Sequence, residues 1–402
     1  MSLSARIKKY LDDVRASYWF IPTVLVLSTI LLAIGSLMVD SHPDLSTLRP
    51  DWTNDLVSTD GARAVVSVIA QSMIGVAGVM FSITMLAVSF ASGQYGPRLI
   101  GNFMRDRGNQ WTLGILISTF AFALLVLRAI ENSHDDAVAF VPHLSIIIAM
   151  AMAFLSVFVM IFHVHHVPET ISVSNIIASL GQRFVGGINA LLEQDPPDQT
   201  PGRGVSVDIY LHTSGYIHNI ADDKLSVLAK DNGWTIEILE LPGEFMHPQR
   251  AVLRVWGAHA DLADDVATRL REAVALGRAK TEKQNLIFVA EQLVEIVARA
   301  MSPGVNDPFT AISCLHWMEA GLALVVQQDQ ELHVFTAPRV VAKPITFEHL
   351  LNRSIGDCTS YVANDPLTRD ETLRVLGRLS ALATDRNRGP VEDLADRLKS
   401  TD

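Results

Sequence analysis

The stretch Ala64–Arg98, AVVSVIAQSMIGVAGVMFSITMLAVSFASGQYGPR, decides the fold, because it holds no charged residue before its final arginine. Three further stretches, Trp19–Val39, Trp111–Leu127 and Val138–Phe162, contain no Asp, Glu, Lys or Arg. A bilayer core about 30 Å thick needs about 20 apolar helical residues to cross it, and each stretch is near or above that length. The sequence therefore predicts an integral membrane protein with four transmembrane helices.

The charges that flank these stretches predict their orientation, since cytoplasmic loops carry an excess of Lys and Arg. The segment before the first span and the loop after the second are basic, whereas the loops after the first and third spans are mainly acidic. We therefore expect the N-terminus and the whole C-terminal region in the cytoplasm. The first stretch is too long for a signal peptide, so we expect it to remain as an anchor.

Changes in composition divide the 402 residues into five segments. Turn-forming residues at Asp195–Gly204 mark a linker, and short β-like runs beyond it indicate a small α+β module before helical periodicity takes over. The predicted segments are a basic amphipathic N-terminal segment (1–18), a four-span transmembrane domain (19–169) with an interfacial helix (94–110), an exit helix and linker (170–204), a cytoplasmic α+β module (205–260) and a mainly helical cytoplasmic domain (261–402).

Within the soluble region the hydrophobic periodicity predicts individual elements. The predicted strands are Val205–Leu211, Tyr216–Ile220, Thr235–Leu241 and Ala251–Trp256. The predicted helices are Asp222–Lys230, Asp261–Leu276, Asn285–Met301 and a last helix that ends near Val326.

The second span differs from the others, because small and mildly polar residues recur along one side of its helix. At 100° per residue they fall within about a quarter-turn of one another. One interpretation is close helix packing, which small residues permit in membranes. The other is the lining of a water-filled path in an oligomer, because polar side chains avoid lipid. The stripe consists of Ser67, Gln71, Gly75, Gly78, Ser82 and Ser89.

The segment 94–110 follows the second span and carries Arg98, Arg105 and Arg107. Pro97 can start a helix, and the arginines of an interfacial helix would meet lipid phosphates. Alternatively the segment couples the soluble region to the second span as part of a gate.

The stretch Ser302–Pro308, SPGVNDP, predicts a joint between two helices, because Pro303 and Gly304 end one helix while Asp307 can cap the next. Pro308 then fits the first turn of that helix. The alternative is that Ser302, Asn306 and Asp307 present a polar cluster.

No catalytic, cofactor-binding or metal-ligating constellation emerges from the sequence. It contains no GxSxG, no HExxH and no phosphate-binding glycine loop. Cys314 and Cys358 are expected to be buried thiols in a reducing compartment. His163, His165 and His166 are expected to be membrane-interface histidines.

Two long strings, FSITMLAVSFASGQYGPRLIGNFMRDRGNQ (Phe81–Gln110) and SPGVNDPFTA (Ser302–Ala311), resemble the signatures of a bacterial membrane-protein family catalogued as domain of unknown function 2254. The short elements SGYI (Ser214–Ile217) and PGEF (Pro242–Phe245) agree with it. The resemblance covers nearly the whole chain and implies an inner-membrane location. It implies no catalytic residue.

Three functions are compatible with these features. The first is an oligomeric channel or permeation pathway regulated by its cytoplasmic domain, and the second is a membrane-anchored sensor or scaffold without transport. The third is a membrane-associated enzyme. It has little support, so we expect no enzymatic activity. The expected partners are the lipid bilayer, further copies of the chain and a small ligand or protein at the cytoplasmic domain. A net charge of −11 argues against nucleic acid.

Overall fold

A computed structural model describes residues 17–42, 58–95, 106–130, 140–195, 202, 204–258 and 262–400, with the backbone alone at 92, 94 and 95. These residues form two compact units, the first ending at Ser172 and the second beginning at Val173. Most of the predicted N-terminal segment 1–18, and most of the predicted interfacial helix 94–110, lie outside the described residues.

Four helices build the first unit, and each overlaps one of the predicted spans. They are α1 (Phe20–Ser41), α2 (Thr59–Tyr95), α3 (Arg107–Ala129) and α4 (His143–Ile171). Their apolar stretches are long enough to cross a membrane. Helix α3 packs against both α1 and α4. Its close approach to α1 depends on Gly114, because a Cβ added there would lie 2.6 Å from Leu25 of α1.

Helix α2 is much longer than a bilayer requires. Its 37 residues correspond to about 55 Å at 1.5 Å per residue, so the helix continues well past the hydrocarbon core. The predicted span began at Ala64, but the helix begins at Thr59 and includes Asp60 and Arg63. Charged side chains at a helix end reach the membrane surface, so they end the hydropathy signal without ending the helix.

A fifth helix, α9 (Pro308–Val326), is also long and apolar enough to cross a membrane by length and composition. It belongs to the second unit, where Cys314, Met318 and Leu322 are fully buried. The predicted number of four spans is therefore not fixed by hydropathy alone.

The second unit contains nine helices, one π-helical turn and seven strands within the described residues. The helices are α5 (Val173–Leu192), α6 (Asp222–Asn232), α7 (Asp264–Glu272), α8 (Leu286–Ala300), α9, α10 (Phe347–Leu351), α11 (Asp357–Val362), α12 (Pro366–Leu382) and α13 (Asp385–Lys399), and the π turn is Asn352–Gly356. The strands are β1 (Ser206–Tyr210), β2 (Gly215–Ile220), β3 (Thr235–Ile238), β4 (Phe245–Met246), β5 (Ala251–Trp256), β6 (Val274–Gly277) and β7 (Val340–Ala342).

The strands form two small sheets that reach beyond the predicted module 205–260. One sheet has the order β1-β5-β3-β7 and the other β4-β2-β6. Strand β7 pairs in parallel with β3, and β6 pairs antiparallel with β2. The predicted helix Asp261–Leu276 is therefore partly wrong, since α7 ends at Glu272 and the chain returns to the sheet as β6. The four strands predicted in the module and the helix after the second are confirmed.

The predicted exit helix is α5, and it is part of the core of the second unit rather than of a connector. Its apolar side, with Leu180, Phe184 and Ile188 fully buried, packs against α8 and α9. Gly181 lies against the ring of Trp317, and a Cβ added at this position would overlap the indole. The contact requires glycine.

The joint predicted at Ser302–Pro308 is confirmed. Ser302 Oγ donates to the carbonyl of Arg299 at 2.7 Å, and Asn306 adopts a left-handed φ of 47°. Asp307 caps α9, accepting from the backbone N of Thr310 at 3.1 Å and from its hydroxyl at 2.6 Å. Each of the three polar residues therefore has a role in the turn or in the cap of the next helix.

The same joint occurs a second time at the start of α12. Asn306–Thr310 reads NDPFT and Asn364–Thr368 reads NDPLT. Asp365 accepts from the backbone N of Thr368 at 2.8 Å and from its hydroxyl at 2.9 Å. Helices α9 and α12 pack against each other, so the repeated motif builds two neighbouring helix starts.

Candidate functional site

The stripe of α2 faces away from the other helices of the first unit. Five of its six members are exposed and Ser67 is half-buried. A Cβ added at Gly75 or Gly78 would have no atom of another element within 4 Å. Among the described residues, no other helix of the first unit packs on this side, so packing within that unit does not explain the stripe.

The opposite side of α2 supplies the internal packing. These residues lie roughly 150° around the helix from the stripe, at 100° per residue. Leu116 of α3 shares an apolar cluster with two of them, Ala77 and Met80. The buried members of this side are Ala62, Val66, Ile69, Ala70, Ala77, Met80, Thr84, Val88 and Ala91.

The polar groups of the stripe are satisfied to different degrees. Ser82 Oγ donates to the carbonyl of Gly78 at 2.9 Å, within its own helix. The carboxamide of Gln71 makes no hydrogen bond with any part of the chain that the structure describes, and it lies on an apolar helix. An unsatisfied amide in hydrocarbon costs several kcal/mol. Gln71 therefore requires either water or a hydrogen-bond partner from another protomer.

Of the three arginines predicted for lipid contact or coupling, only Arg107 lies within the described residues. It is the first residue of α3 and is exposed. Arg98 and Arg105 lie outside them, as does the middle of the predicted interfacial helix.

A second polar group lies inside the first unit, where α2, α3 and α4 meet near the start of α3. His166 Nε2 lies 2.8 Å from Asp106 Oδ2, and Asp106 also caps α3 through the backbone N of Asn109 at 2.9 Å. Burial and the charge of Asp106 raise the pKa of Tyr18, which precedes α1. Gly108 permits the approach of α4, because a Cβ there would overlap the ring of His166.

His163, one turn before His166, is buried more deeply, with 3% of its surface exposed. Its Nε2 lies 3.3 Å from Thr84 Oγ1 of α2. We call Thr84, Asp106, Asn109, His163 and His166 the polar seam. The expectation of interface histidines did not include these contacts, because they join residues that are far apart in the sequence.

Further along α3 and α4 the interior remains polar. Thr119 and Ser156 share a hydrogen bond of 2.9 Å. Ser118 Oγ is buried without a partner in the described part of the chain. A hydroxyl pair such as that of Thr119 and Ser156 bonds across two packed membrane helices.

In the second unit the structure brings two short sequence elements together. Tyr216 of SGYI pairs with Phe245, the last residue of PGEF, and Gly215 pairs with the following Met246. The rings of Tyr216 and Phe245 meet edge to face at 5.2 Å. The backbone N of Gly243 donates to the carbonyl of Ile217 at 2.8 Å, so the two elements form one structural unit.

A buried ion-pair network lies between α8 and the π-helical turn. Glu291, whose side chain is 9% exposed, accepts from Lys280 Nζ at 2.7 Å and from the guanidinium of Arg353. Burial and the charge of Arg353 lower the pKa of nearby His349. The charges are mutually paired, so this network holds the helices together and offers no unoccupied charged group to a ligand.

The thiols of Cys314 and Cys358 are both fully buried, as predicted. Burial raises the pKa of each thiol well above its usual range. Across the described residues no three His, Cys, Asp or Glu side chains converge in a way that could hold a metal ion.

Comparison with known proteins identifies the chain's relatives. A family described as "Predicted membrane protein (DUF2254)" matches residues 15–378. The uncharacterized proteins Mb1321c of Mycobacterium bovis and Rv1290c of Mycobacterium tuberculosis are each 30% identical to it over 329 residues, which cover 79% of this chain and 62% of either relative. The chain thus spans less than two thirds of the length of these curated relatives. No solved structure matches it. The chain belongs to the DUF2254 family of predicted membrane proteins.

Proposed function

We propose that the chain forms an oligomeric permeation pathway in a bacterial inner membrane, lined by the stripe of α2. The observation that supports this function is the outward exposure of Gln71 and its neighbours, opposite to the side on which α2 packs within the protomer. Lipid is a poor neighbour for an unpartnered amide. Symmetric copies around a water-filled axis would supply the polar neighbour that the Gln71 amide lacks in a single chain.

Four spans are the number that fits the proposed topology, with α9 in the cytoplasmic domain. The exposed side of α9 carries His316 and Glu319, which pair with Glu371 and Arg378 of α12. Charged pairs on this side suit water rather than lipid. Together with the basic flanks of the first and third spans, this supports a cytoplasmic location for both termini.

Regulation by the cytoplasmic domain is part of the proposal. Helix α2 is continuous from Thr59 to Tyr95, and a helix of that length transmits displacement at one end to the stripe. The segment that follows it carries Arg98 and Arg105, which we propose as the coupling or lipid-contacting groups together with Arg107.

The second candidate is a membrane-anchored sensor or scaffold without transport. Ser82 favours it, because its hydroxyl is already satisfied by the carbonyl of Gly78, and such a side chain needs no water. Close packing of Gly75 and Gly78 between two copies would then account for the stripe.

We propose no enzymatic activity. Ser302 and Asp307, from the polar cluster considered above, are used in the turn and in the cap of α9.

The test is ion flux through purified protein reconstituted into phosphatidylethanolamine and phosphatidylglycerol vesicles. Gln71→Leu and Ser82→Leu should abolish flux of K⁺, Na⁺ or Cl⁻ while leaving the oligomer intact by size-exclusion chromatography. Ser72→Leu is the matched control, because Ser72 is exposed on the same helix but lies about 100° away from the centre of the stripe. It should conduct as the wild type does.

Two results would reject the permeation pathway. One is the absence of flux in the wild type for all of these ions, and the other is unchanged flux in the two stripe variants. An assembled oligomer without flux would favour the scaffold.

A further inference from the structure

Two buried polar atoms of the polar seam have no hydrogen-bond partner among the described residues. They are Nδ1 of His163 and Oδ1 of Asn109, whose residues are only 3% and 4% exposed. A buried polar atom without a partner costs about 1–3 kcal/mol, and most such atoms in proteins bind another protein group or ordered water. Their occurrence together therefore requires an explanation.

The hydrogen-bond roles around His163 define what it offers. The hydroxyl of Thr84 has one hydrogen, and it is directed to the carbonyl of Met80 at 2.9 Å. Thr84 Oγ1 can then only accept from the imidazole, so Nε2 of a neutral His163 carries the hydrogen. The other ring nitrogen, Nδ1, is left with a free lone pair.

Asn109 is directed to the same region. It lies seven residues before Leu116 and so on the same side of α3, and Leu116 packs against Ala77 and Met80 of α2. Thr84 is one turn beyond Met80 on α2. The backbone N of Asn109 also donates to Asp106, and Asp106 contacts His166, which lies one turn from His163 on α4. Both unpartnered atoms thus belong to the junction of α2, α3 and α4.

Each of these two acceptors needs a donor that the described residues do not supply. Water can donate through either of its two hydrogens, and buried water typically makes about three hydrogen bonds to groups of this kind. We propose that the polar seam holds bound water that donates to Nδ1 of His163 and Oδ1 of Asn109, at the inner end of an aqueous inlet beside Asp106 and His166.

The edge of the first unit supports the inlet. The side chains of Asp106 and His166 are 20% and 24% exposed, so the outer members of the seam lie partly at the surface of the first unit. His163 lies one helical turn further in, where the exposed fraction falls to 3%. Leu116 and Met80 then close the region with apolar side chains. The inlet does not depend on permeation along the α2 stripe.

Hydroxyl-radical footprinting by X-ray radiolysis tests for this water, because radicals formed from a bound water modify the side chain beside it. The full-length protein in lipid nanodiscs is irradiated for increasing times, and modified residues are identified by mass spectrometry. We expect His163 to be modified well above the level of the equally buried Phe122, and the exposed His165 provides the upper reference.

Asn109→Leu removes one of the two acceptors while keeping a side chain of similar size. Modification of His163 should then fall several-fold, and modification of His165 should not change. A wild-type His163 that is as inert as Phe122 would overturn the proposal, since the seam would then be dry. The wild-type measurement decides even if the variant does not assemble.

Discussion

Asp40, at the end of α1, accepts hydrogen bonds from Ser145, the third residue of α4, through both its backbone N at 2.9 Å and its hydroxyl at 2.8 Å. The carboxylate is 6% exposed and also accepts from the backbone N of Leu144 at 3.1 Å. A negative charge at a helix N-terminus is favourable, because it meets the positive end of the helix dipole. This contact joins the first and last helices of the membrane unit.

Asp40→Ala should therefore destabilise the first unit. The loss of a helix cap costs about 1 kcal/mol, and the partners left buried without an acceptor add to it. The midpoint of thermal unfolding in detergent should fall. Ser41→Ala is the control, because Ser41 is exposed and its hydroxyl bonds only to Met38 within α1. An unchanged midpoint for Asp40→Ala would show that the cap contributes nothing.

The contact of α5 with α9 gives a second prediction. Gly181→Ala should destabilise the second unit by about 1–3 kcal/mol, since the new methyl group would overlap the ring of Trp317. Gly186→Ala on the same helix has open space and should stabilise it by about 0.4–1 kcal/mol. Denaturant unfolding measures both. Opposite signs are expected, and equal effects would contradict the packing of α5.

The two Asn-Asp-Pro joints predict matched effects. Asp307→Ala and Asp365→Ala should each cost about 1 kcal/mol, because each removes the acceptor of a helix start. Asn306→Gly should be neutral or stabilising, since Asn306 has a left-handed φ that glycine adopts without strain. Hydrogen exchange at Thr310 and Thr368 reports each cap separately. Faster exchange at both sites in a single variant would show that the joints are not independent.

His349 predicts a pH dependence of the second unit. Burial first, and then the charge of Arg353, lower the pKa of His349 from its ordinary value of 6.5. As the pH falls below that value, the unfolded chain takes up a proton that the folded chain resists, so stability declines. His349→Gln should flatten the decline of the free energy of unfolding between pH 6.5 and the lowered pKa of His349 in the folded protein. The carboxylates of Glu244 and Asp357 act in the opposite direction.

Asp208 acts in a lower pH range. Its hydrogen bond from Arg254 holds the pKa of the carboxyl below 3.8, although burial acts against it. The stability this pair contributes is present above pH 3.8 and is lost as the pH falls through the lower pKa. Asp208→Asn should therefore leave the slope in the range of His349 unchanged. If Asp208→Asn changed the free energy of unfolding in the pH range of His349, the pH dependence there would belong to Asp208 rather than to His349.

The apolar helices could be predicted from sequence because hydropathy is a local property. The joint at Asp307 could be predicted for the same reason, since capping involves residues three apart. Strand β6 was missed because Val274–Gly277 follows a helix without a turn signal. Its identity as a strand comes from pairing with β2, which is remote in the sequence.

The polar seam could not be predicted, since His166 and Asp106 meet only when α3 packs on α4. The inward and outward sides of α2 were separable by periodicity, but only packing shows which of them is unpartnered. The repeat of NDPFT and NDPLT was visible in the sequence, and comparison of the chain with itself would have found it.

Strand β7 completes its sheet late in the synthesis of the chain. Until the ribosome has delivered Val340–Ala342, the β3 edge that β7 covers has no partner, and an uncovered strand edge invites pairing with other chains. The helices α8 and α9 must therefore be made before the sheet is complete. Nascent chains that stop before Val340 would expose this edge, and we expect them to be prone to aggregation.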